Sequence, residues 1–226
     1  MATATRAGTP ELNCDAAAAH HYGTAGTVAA AIVDGKGNST ATATAAWLCA
    51  EAAAWLAARY GALSGLLTAG QMLADPGSKF VAVDGVAAVA VVRPGSPTTV
   101  VHVGRARAYT WDGDTLFRMT EDHTHGQQLR NQGHTEAQAA AQDHLQRVTL
   151  ARSSVGTAPC VLTDDQLVLL TTDGVHDDLG HERMAALVRE HQHDPKELAE
   201  ALVACSSGLD DRDDATAVVI TMSAIA

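Results

Sequence analysis

Aromatic residues are nearly missing from this chain, eight in 226, or 4%. A core built without them gains stability from many small alanine and valine contacts rather than from a few large anchors. Cysteine is sparse too. Cys14, Cys49, Cys160 and Cys205 lie far apart and form no C-x-x-C pair, which argues against a zinc cluster and a secreted disulfide scaffold. Free thiols in the reducing cytosol are the expectation. Positive charge is short as well, with 15 Lys and Arg against 26 Asp and Glu, a net charge of −11 and a pI of about 5.3. Nucleic acid rewards clustered Lys and Arg, so it is not expected as a partner. No apolar run approaches the length of a membrane span, and Met1–Arg6 lacks the apolar block of a secretory peptide. A cytoplasmic protein without a membrane partner is expected, and a monomer. An acidic protein still binds phosphate where something local reverses the sign, as two divalent cations at one spot would.

What is present is an ordinary apolar fraction, 46%, enough for a sizeable core. Residues 1–226 read as one domain, without repeats or a low-complexity tail, opened by a poorly defined segment at 1–12. The apolar run from Gly26 to Val33 predicts a buried strand ending at Asp34-Gly35. Ser39 and Thr40 then lead a long periodic stretch through Trp47-Leu48, Trp55-Leu56, Leu63 and Leu66-Leu67. It predicts a helix, broken near Gly61 or Gly65, with that face on the sheet. Strands are predicted at about Val81–Val92 and Thr99–Val103, and a hairpin around Asp112-Gly113-Asp114. Short helices follow at His125–Arg130 and Thr135–His144, then a buried strand at Gln166–Thr172. Helices at Glu182–His191 and Lys196–Cys205 and a strand at Thr216–Thr221 complete the pattern. Hairpin links and long helices between strand clusters favour antiparallel or mixed sheets covered by helices.

Three aspartates share a local context. Asp34 and Asp173 each sit at the end of a short apolar run and precede glycine, and Asp213 lies in a loop just before the last strand. A carboxylate at a strand end is held rigidly while its oxygens face an open edge, and the following glycine permits a sharp turn. Oxygen donors of this kind suit Mg²⁺ or Mn²⁺ rather than zinc. Taken singly, each Asp-Gly is ordinary turn chemistry.

Together they are more specific. Leu169-Leu170-Thr171-Thr172-Asp173-Gly174-Val175-His176-Asp177 resembles the "L-L-x-S/T-D-G-x-x-D" segment of the metal-dependent protein phosphatases, the protein phosphatase 2C or PPM family. Asp213-Asp214-Ala215-Thr216-Ala217-Val218-Val219 is similar to its "D-N-x-T-x-V-V" strand, and Ala31-Ile32-Val33-Asp34-Gly35-Lys36-Gly37 to its "V-x-D-G-x-G-G" segment. Val103-Gly104-Arg105-Ala106-Arg107-Ala108-Tyr109 resembles "V-G-D-S-R-x-Y", and Thr120-Glu121-Asp122-His123 resembles "L-T-x-D-H". The matches keep their order from about Asn13 to Ile220. The resemblance implies an α+β, four-layer αββα sandwich of two sheets between helices. It implies two Mg²⁺ or Mn²⁺ ions with a bridging water that attacks a phosphoserine or phosphothreonine of a protein substrate. By position, Asp34 would bridge both ions, the Gly35 carbonyl would ligate the second, and Asp173 and Asp213 the first. Residues 134–152 would form a flap beside the site.

The chain departs from that pattern near the site. Against the family's R-x-x-x-E-D it has Pro10-Glu11-Leu12-Asn13-Cys14-Asp15, so proline replaces the phosphate-binding arginine and Cys14 an acid. Arg6 is nearby at the wrong spacing. Thiols bind Mg²⁺ poorly, so Cys14 and Asp15 would support a second ion only weakly, with Glu11 as a possible substitute. Arg105 replaces an aspartate and is expected to pair with Asp173, standing in for an ion or clamping the phosphate. A plain surface arginine is the alternative. His123 is expected to orient its loop by hydrogen bonding, and Asp177-Asp178 to start the next helix. Two readings stay open: an active phosphatase, favoured by Asp34, Asp173 and Asp213, and a pseudophosphatase, favoured by Pro10, Cys14 and Arg105.

Overall fold

The computed structural model describes residues 1–9, 12–23, 25–75, 77, 83–204 and 212–221. Ten strands form two five-stranded sheets, antiparallel throughout. The first sheet has the order β2 (Asp15–Tyr22), β3 (Thr27–Lys36), β4 (Asp84–Arg93), β5 (Ser96–Val103) and β8 (Cys160–Thr163). The second runs β1 (Ala2–Arg6), β10 (Ala215–Thr221), β9 (Leu167–Thr171), β6 (Arg107–Trp111) and β7 (Leu116–Arg118). Helices α1 (Thr40–Tyr60) and α2 (Ala62–Leu73) cover the first sheet, and α5 (Asp173–His191) and α6 (Pro195–Ala204) the second. The short helices α3 (His125–Asn131) and α4 (Glu136–Ala140) lie between β7 and β8 in sequence. Val81 and Cys205, the expected start of β4 and end of α6, lie outside the described residues.

The four layers follow from strands buried on both faces. In β3, Ala29, Ala31 and Val33 face α1, while Ala30 and Ile32 enter the space between the sheets. In β10, Ala215, Ala217 and Val219 face α5 and α6, while Val218 and Ile220 meet the other sheet. A period of two with both sides apolar is the signature of strands covered on each face. The αββα expectation holds.

Several local expectations need correction. Within the segment 1–12, Ala2 through Arg6 form β1, which adds to the sheet edge by pairing with Val219 through Ala215. Strand β3 does not stop at Asp34 but runs to Lys36, with Asp34 paired to Asp15 and Gly35 to Gly85. Strand β8, whose residues alternate between exposed and half-buried, carries too weak a pattern to be read. Helix α5 begins at Asp173, and Asp177-Asp178 lie within its first turns; a non-helical Gly180 (φ 67°) separates this piece from the predicted helix after it. Helix α1 is capped by Ser39 and ends at Gly61 (φ 97°), as expected, but it is turned the other way. Ala46, Ala50, Ala53 and Ala57 face the core, while Trp47 and Trp55 are 55% and 46% exposed. The close approach of α1 to α2 explains this. A Cβ on Gly65 would come within 2.3 Å of the Ala53 carbonyl oxygen, so this interface admits only the smallest residues.

Candidate active site

The two sheets bring their acidic segments to one end of the sandwich. Asp34 comes from β3 and Asp15 from its partner β2. Asp173 opens α5 directly after β9, and Asp213 precedes β10. Two close backbone contacts fasten these pieces together. The Gly35 amide donates to the Cys14 carbonyl at 3.0 Å, and a Cβ on Gly35 would meet that oxygen at 2.6 Å. A Cβ on Gly174 would stand 2.1 Å from the Asp214 carbonyl, so glycine is what lets the α5 start rest on the strand carrying Asp213.

The three sequence-predicted carboxylates therefore converge. Asp173 and Asp213 are within hydrogen-bonding reach of each other. Burial, then the charges of Asp173, Asp15 and Asp213, push the Asp34 carboxyl well above its ordinary value. Burial does the same to Asp173, raising it to about 6 against the opposing pull of Arg105, and to Asp15, raised to about 7. Asp213 is raised too, first by burial. Asp15, Asp34 and Asp173 are half-buried and Asp213 is exposed, each beside others of its own sign, so the site favours protons or added cations. Among the described residues, no three His, Cys, Asp or Glu side chains stand as a ready metal cage. The donor chemistry nevertheless fits a hard cation, being all oxygen and in excess of local positive charge.

The neighbouring groups divide into supports and cleft walls. Cys14 is buried and its Sγ donates to the Ser39 carbonyl at 3.8 Å; burial foremost pushes the thiol up, so it stays protonated. Asp15 accepts from the Thr172 hydroxyl at 2.7 Å. The Asp214 oxygens accept from the Gly8 and Cys14 amides at 2.7 and 2.6 Å. They tie the N-terminal segment to the last strand. Pro10 and Glu11 lie outside the described residues. Arg6 donates through Nε to the Val203 carbonyl at 2.8 Å, on the α6 side.

Arg105 is no free surface arginine. Its Nη1 donates to Asp173 at 3.3 Å and its Nη2 to Asp177, and the side chain is 15% exposed. The turn bearing it is pinned from both sides of Gly104. The Gly104 amide donates to His123 Nδ1 at 3.3 Å, and the His123 amide returns a bond to the Gly104 carbonyl at 3.0 Å. His123 thus does the loop-holding work expected of it. A cleft of about 220 Å³ opens beside Asp34, Arg105 and Asp173, with Lys36, His144, Gln146 and Thr149 also in its wall. The last three belong to the 134–152 segment. The partners of Thr172, Asp177 and Asp214 were not visible in the sequence: all three sit inside the quoted segments, where position alone gives no sign of what they bond.

No protein-family model matches the chain, and no curated protein matches it in sequence. Solved structures do. The serine/threonine phosphatase Stp1 from Staphylococcus aureus superposes with a TM-score of 0.81 at 16% identity, covering 98% of this chain and 94% of its own. The PPM Ser-Thr phosphatase MsPP from Mycobacterium smegmatis, solved with cacodylate, gives 0.76 at 23% identity, covering 97% of each chain. The catalytic domain of the serine threonine protein phosphatase PstP, solved with two manganese ions, gives 0.66 at 21%, covering 96% of this chain and 95% of its own. The chain is thus similar end to end to these proteins, and its fold is the αββα sandwich of the PPM-type serine/threonine phosphatases.

Proposed function

We propose that this protein is an Mg²⁺- or Mn²⁺-dependent phosphatase that removes phosphate from phosphoserine or phosphothreonine in a protein. The observation that carries the reading is the convergence of Asp34, Asp173 and Asp213, with Asp15 behind them, into an acidic cluster at the lip of a cleft, short of counter-charge. Asp34, the Gly35 carbonyl, Asp173 and Asp213 would hold the ions, and Asp15, fixed by Thr172, would support the second. Bound Mg²⁺ or Mn²⁺ supplies an acidified water and offsets charge on the phosphoryl oxygens. The chain's own residues do the rest. Lys36 and Arg105 put positive charge in the cleft wall where a phosphate dianion must enter an acidic mouth. His144, Gln146 and Thr149 narrow the cleft to about 220 Å³, room for a phosphorylated side chain at the surface of a protein substrate. No serine or cysteine nucleophile is needed.

A second reading rests on the Arg105–Asp173 ion pair. By occupying one carboxylate, the guanidinium lowers the cluster's demand for metal, as a pseudophosphatase serving as a binding module would tolerate. Hydrolysis of p-nitrophenyl phosphate and of a phosphothreonine peptide, with Mn²⁺, Mg²⁺ or EDTA, separates the two. Turnover in Mn²⁺ that vanishes in EDTA and in Asp173→Asn is expected. Equal inertness of wild type and variant under every metal would hand the assignment to the regulatory module.

A further inference from the structure

Helix α1 carries large apolar side chains on its outer side as well as small ones within. Its inner face packs alanines on the first sheet, yet Trp47 and Leu48 stand outside, 55% and 43% exposed, and Trp55 46% exposed. A surface helix normally turns a polar face to water. The chain has only eight aromatic residues. Four of them, Tyr22, Trp47, Trp55 and Tyr60, are among its exposed large hydrophobic side chains, on α1 or at the end of the edge strand β2. Contiguous exposure of this kind marks an interaction surface.

The charges on this face name the occupant. Thr44, Leu48, Glu51, Trp55 and Arg59 follow one another in steps of four, three, four and four, so they share one stripe. Glu51 and Arg59 each lie four residues from Trp55, on opposite sides. Among the described residues neither has an ion-pair partner, although both are charged and Glu51 is exposed. Arg59 lies instead over the Trp55 ring at 3.8 Å and the Tyr22 ring at 4.8 Å, anchored by its bond to the Trp55 carbonyl at 2.9 Å. These contacts fix the guanidinium in place. A two-fold axis through Trp55 would lay a second α1 antiparallel on the first. Trp55 then meets its own copy, and each Glu51 faces the partner's Arg59. A self-complementary patch is the requirement of an isologous dimer. A lipid surface does not fit: the stripe has no lysine, it carries Glu51, and the chain's net charge is −11.

We infer that the outer face of α1 is a homodimer interface centred on Trp55 and locked by reciprocal Glu51–Arg59 pairs. It lies on the helix layer outside the first sheet, and it does not depend on the phosphatase reading. Sedimentation equilibrium of the full chain is expected to give twice its 23.4 kDa mass, and Trp55→Glu should run as a monomer. Glu51→Arg and Arg59→Glu should each weaken the dimer at least tenfold, and the double variant should restore it. Glu51 and Trp55 are exposed and Arg59 half-buried, so circular dichroism melts of Glu51→Arg should stay close to wild type and those of Trp55→Glu and Arg59→Glu, which lose the stacking, should drop only slightly while the fold is kept. Wild type that is monomeric at high micromolar concentration overturns the inference, as does a dimer that survives Trp55→Glu. Failure of the double charge swap to rescue the singles overturns the antiparallel register. Monomers that float with anionic vesicles would reassign the face to lipid.

Discussion

Two clusters of charged side chains lie within a few residues of each other in this fold and are treated in opposite ways. On the β6–β7 side, Asp122 is 6% exposed and is held by two cations. Arg107 donates to it in a fork at 2.9 and 2.6 Å, and Arg118 donates to the same carboxylate. At the mouth, Asp15, Asp34, Asp173 and Asp213 face one another, and Arg105 is the guanidinium that reaches them, through Asp173. The first group is closed by the protein itself, with more positive charge than negative. The second is left open, with an excess of carboxylate at the lip of a cleft. Charge that a fold neutralises internally is structural; charge it gathers and leaves short of partners is a place for something from solution.

Breaking the closed group should have the largest effect on stability. Asp122→Ala leaves the half-buried Arg107 and the more exposed Arg118 without their shared carboxylate and is expected to cost about 1–3 kcal/mol, read from urea melts. The same treatment of the open group should change sign. Asp34→Asn removes a carboxylate whose neighbours are mainly other carboxylates, so in EDTA the variant should melt later than wild type. Phosphatase activity in Mn²⁺ should nevertheless fall roughly 10²–10³-fold, the cost of losing one preorganised electrostatic group. A variant both more stable and less active is what a site built for function rather than folding predicts. If Asp34→Asn were destabilised as much as Asp122→Ala, the distinction between the two groups would fail.

The open group also has a pH signature. Asp15 is raised from 3.8 to about 7 and Asp173 to about 6, in both cases chiefly by burial. A carboxyl that holds its proton more tightly folded than unfolded contributes stability that is complete below about pH 4. That contribution is lost as pH rises through the folded value. Metal-free protein should therefore lose stability between about pH 4 and 7. The difference between wild type and Asp15→Asn isolates this slope from other titrations, and saturating Mn²⁺ should flatten it. A wild-type slope identical to that of the variant would remove Asp15 from the cluster.

Much of this was legible in the chain, for identifiable reasons. The strands β3, β9 and β10 carry apolar runs that read as helix-covered sheets, while the four layers and the grouping of the three carboxylates followed from the resemblance of the ordered motifs. Arg105 was expected to meet Asp173, and does at 3.3 Å. What failed depends on distant partners. The polar alternation of β1 acquires meaning only from its pairing with β10. The outward turn of Trp47 and Trp55 follows from alanine packing between helices, which periodicity alone assigns to the wrong face because both faces carry apolar residues. The tie made by Asp214 gives no local sign, because its amide partners, Gly8 and Cys14, lie about 200 residues away.

Arg105 tests where the closed and open groups meet, and its effect should be the smallest. It is bonded directly to the acidic mouth through Asp173 and to the half-exposed Asp177. Ion pairs with one arm in solvent contribute no more than about 1 kcal/mol, so Arg105→Ala should melt close to wild type. The freed Asp173 then offers its full charge to a cation, and Mn²⁺ should bind about five-fold tighter by calorimetric titration, the equivalent of ~1 kcal/mol. Turnover should move the other way if Arg105 also meets the phosphate, with KM rising for p-nitrophenyl phosphate while Mn²⁺ affinity improves. Unchanged Mn²⁺ affinity in Arg105→Ala would mean that the guanidinium and the metal do not compete for Asp173. The arginine would then belong with Arg107 and Arg118, as part of the closed structural group.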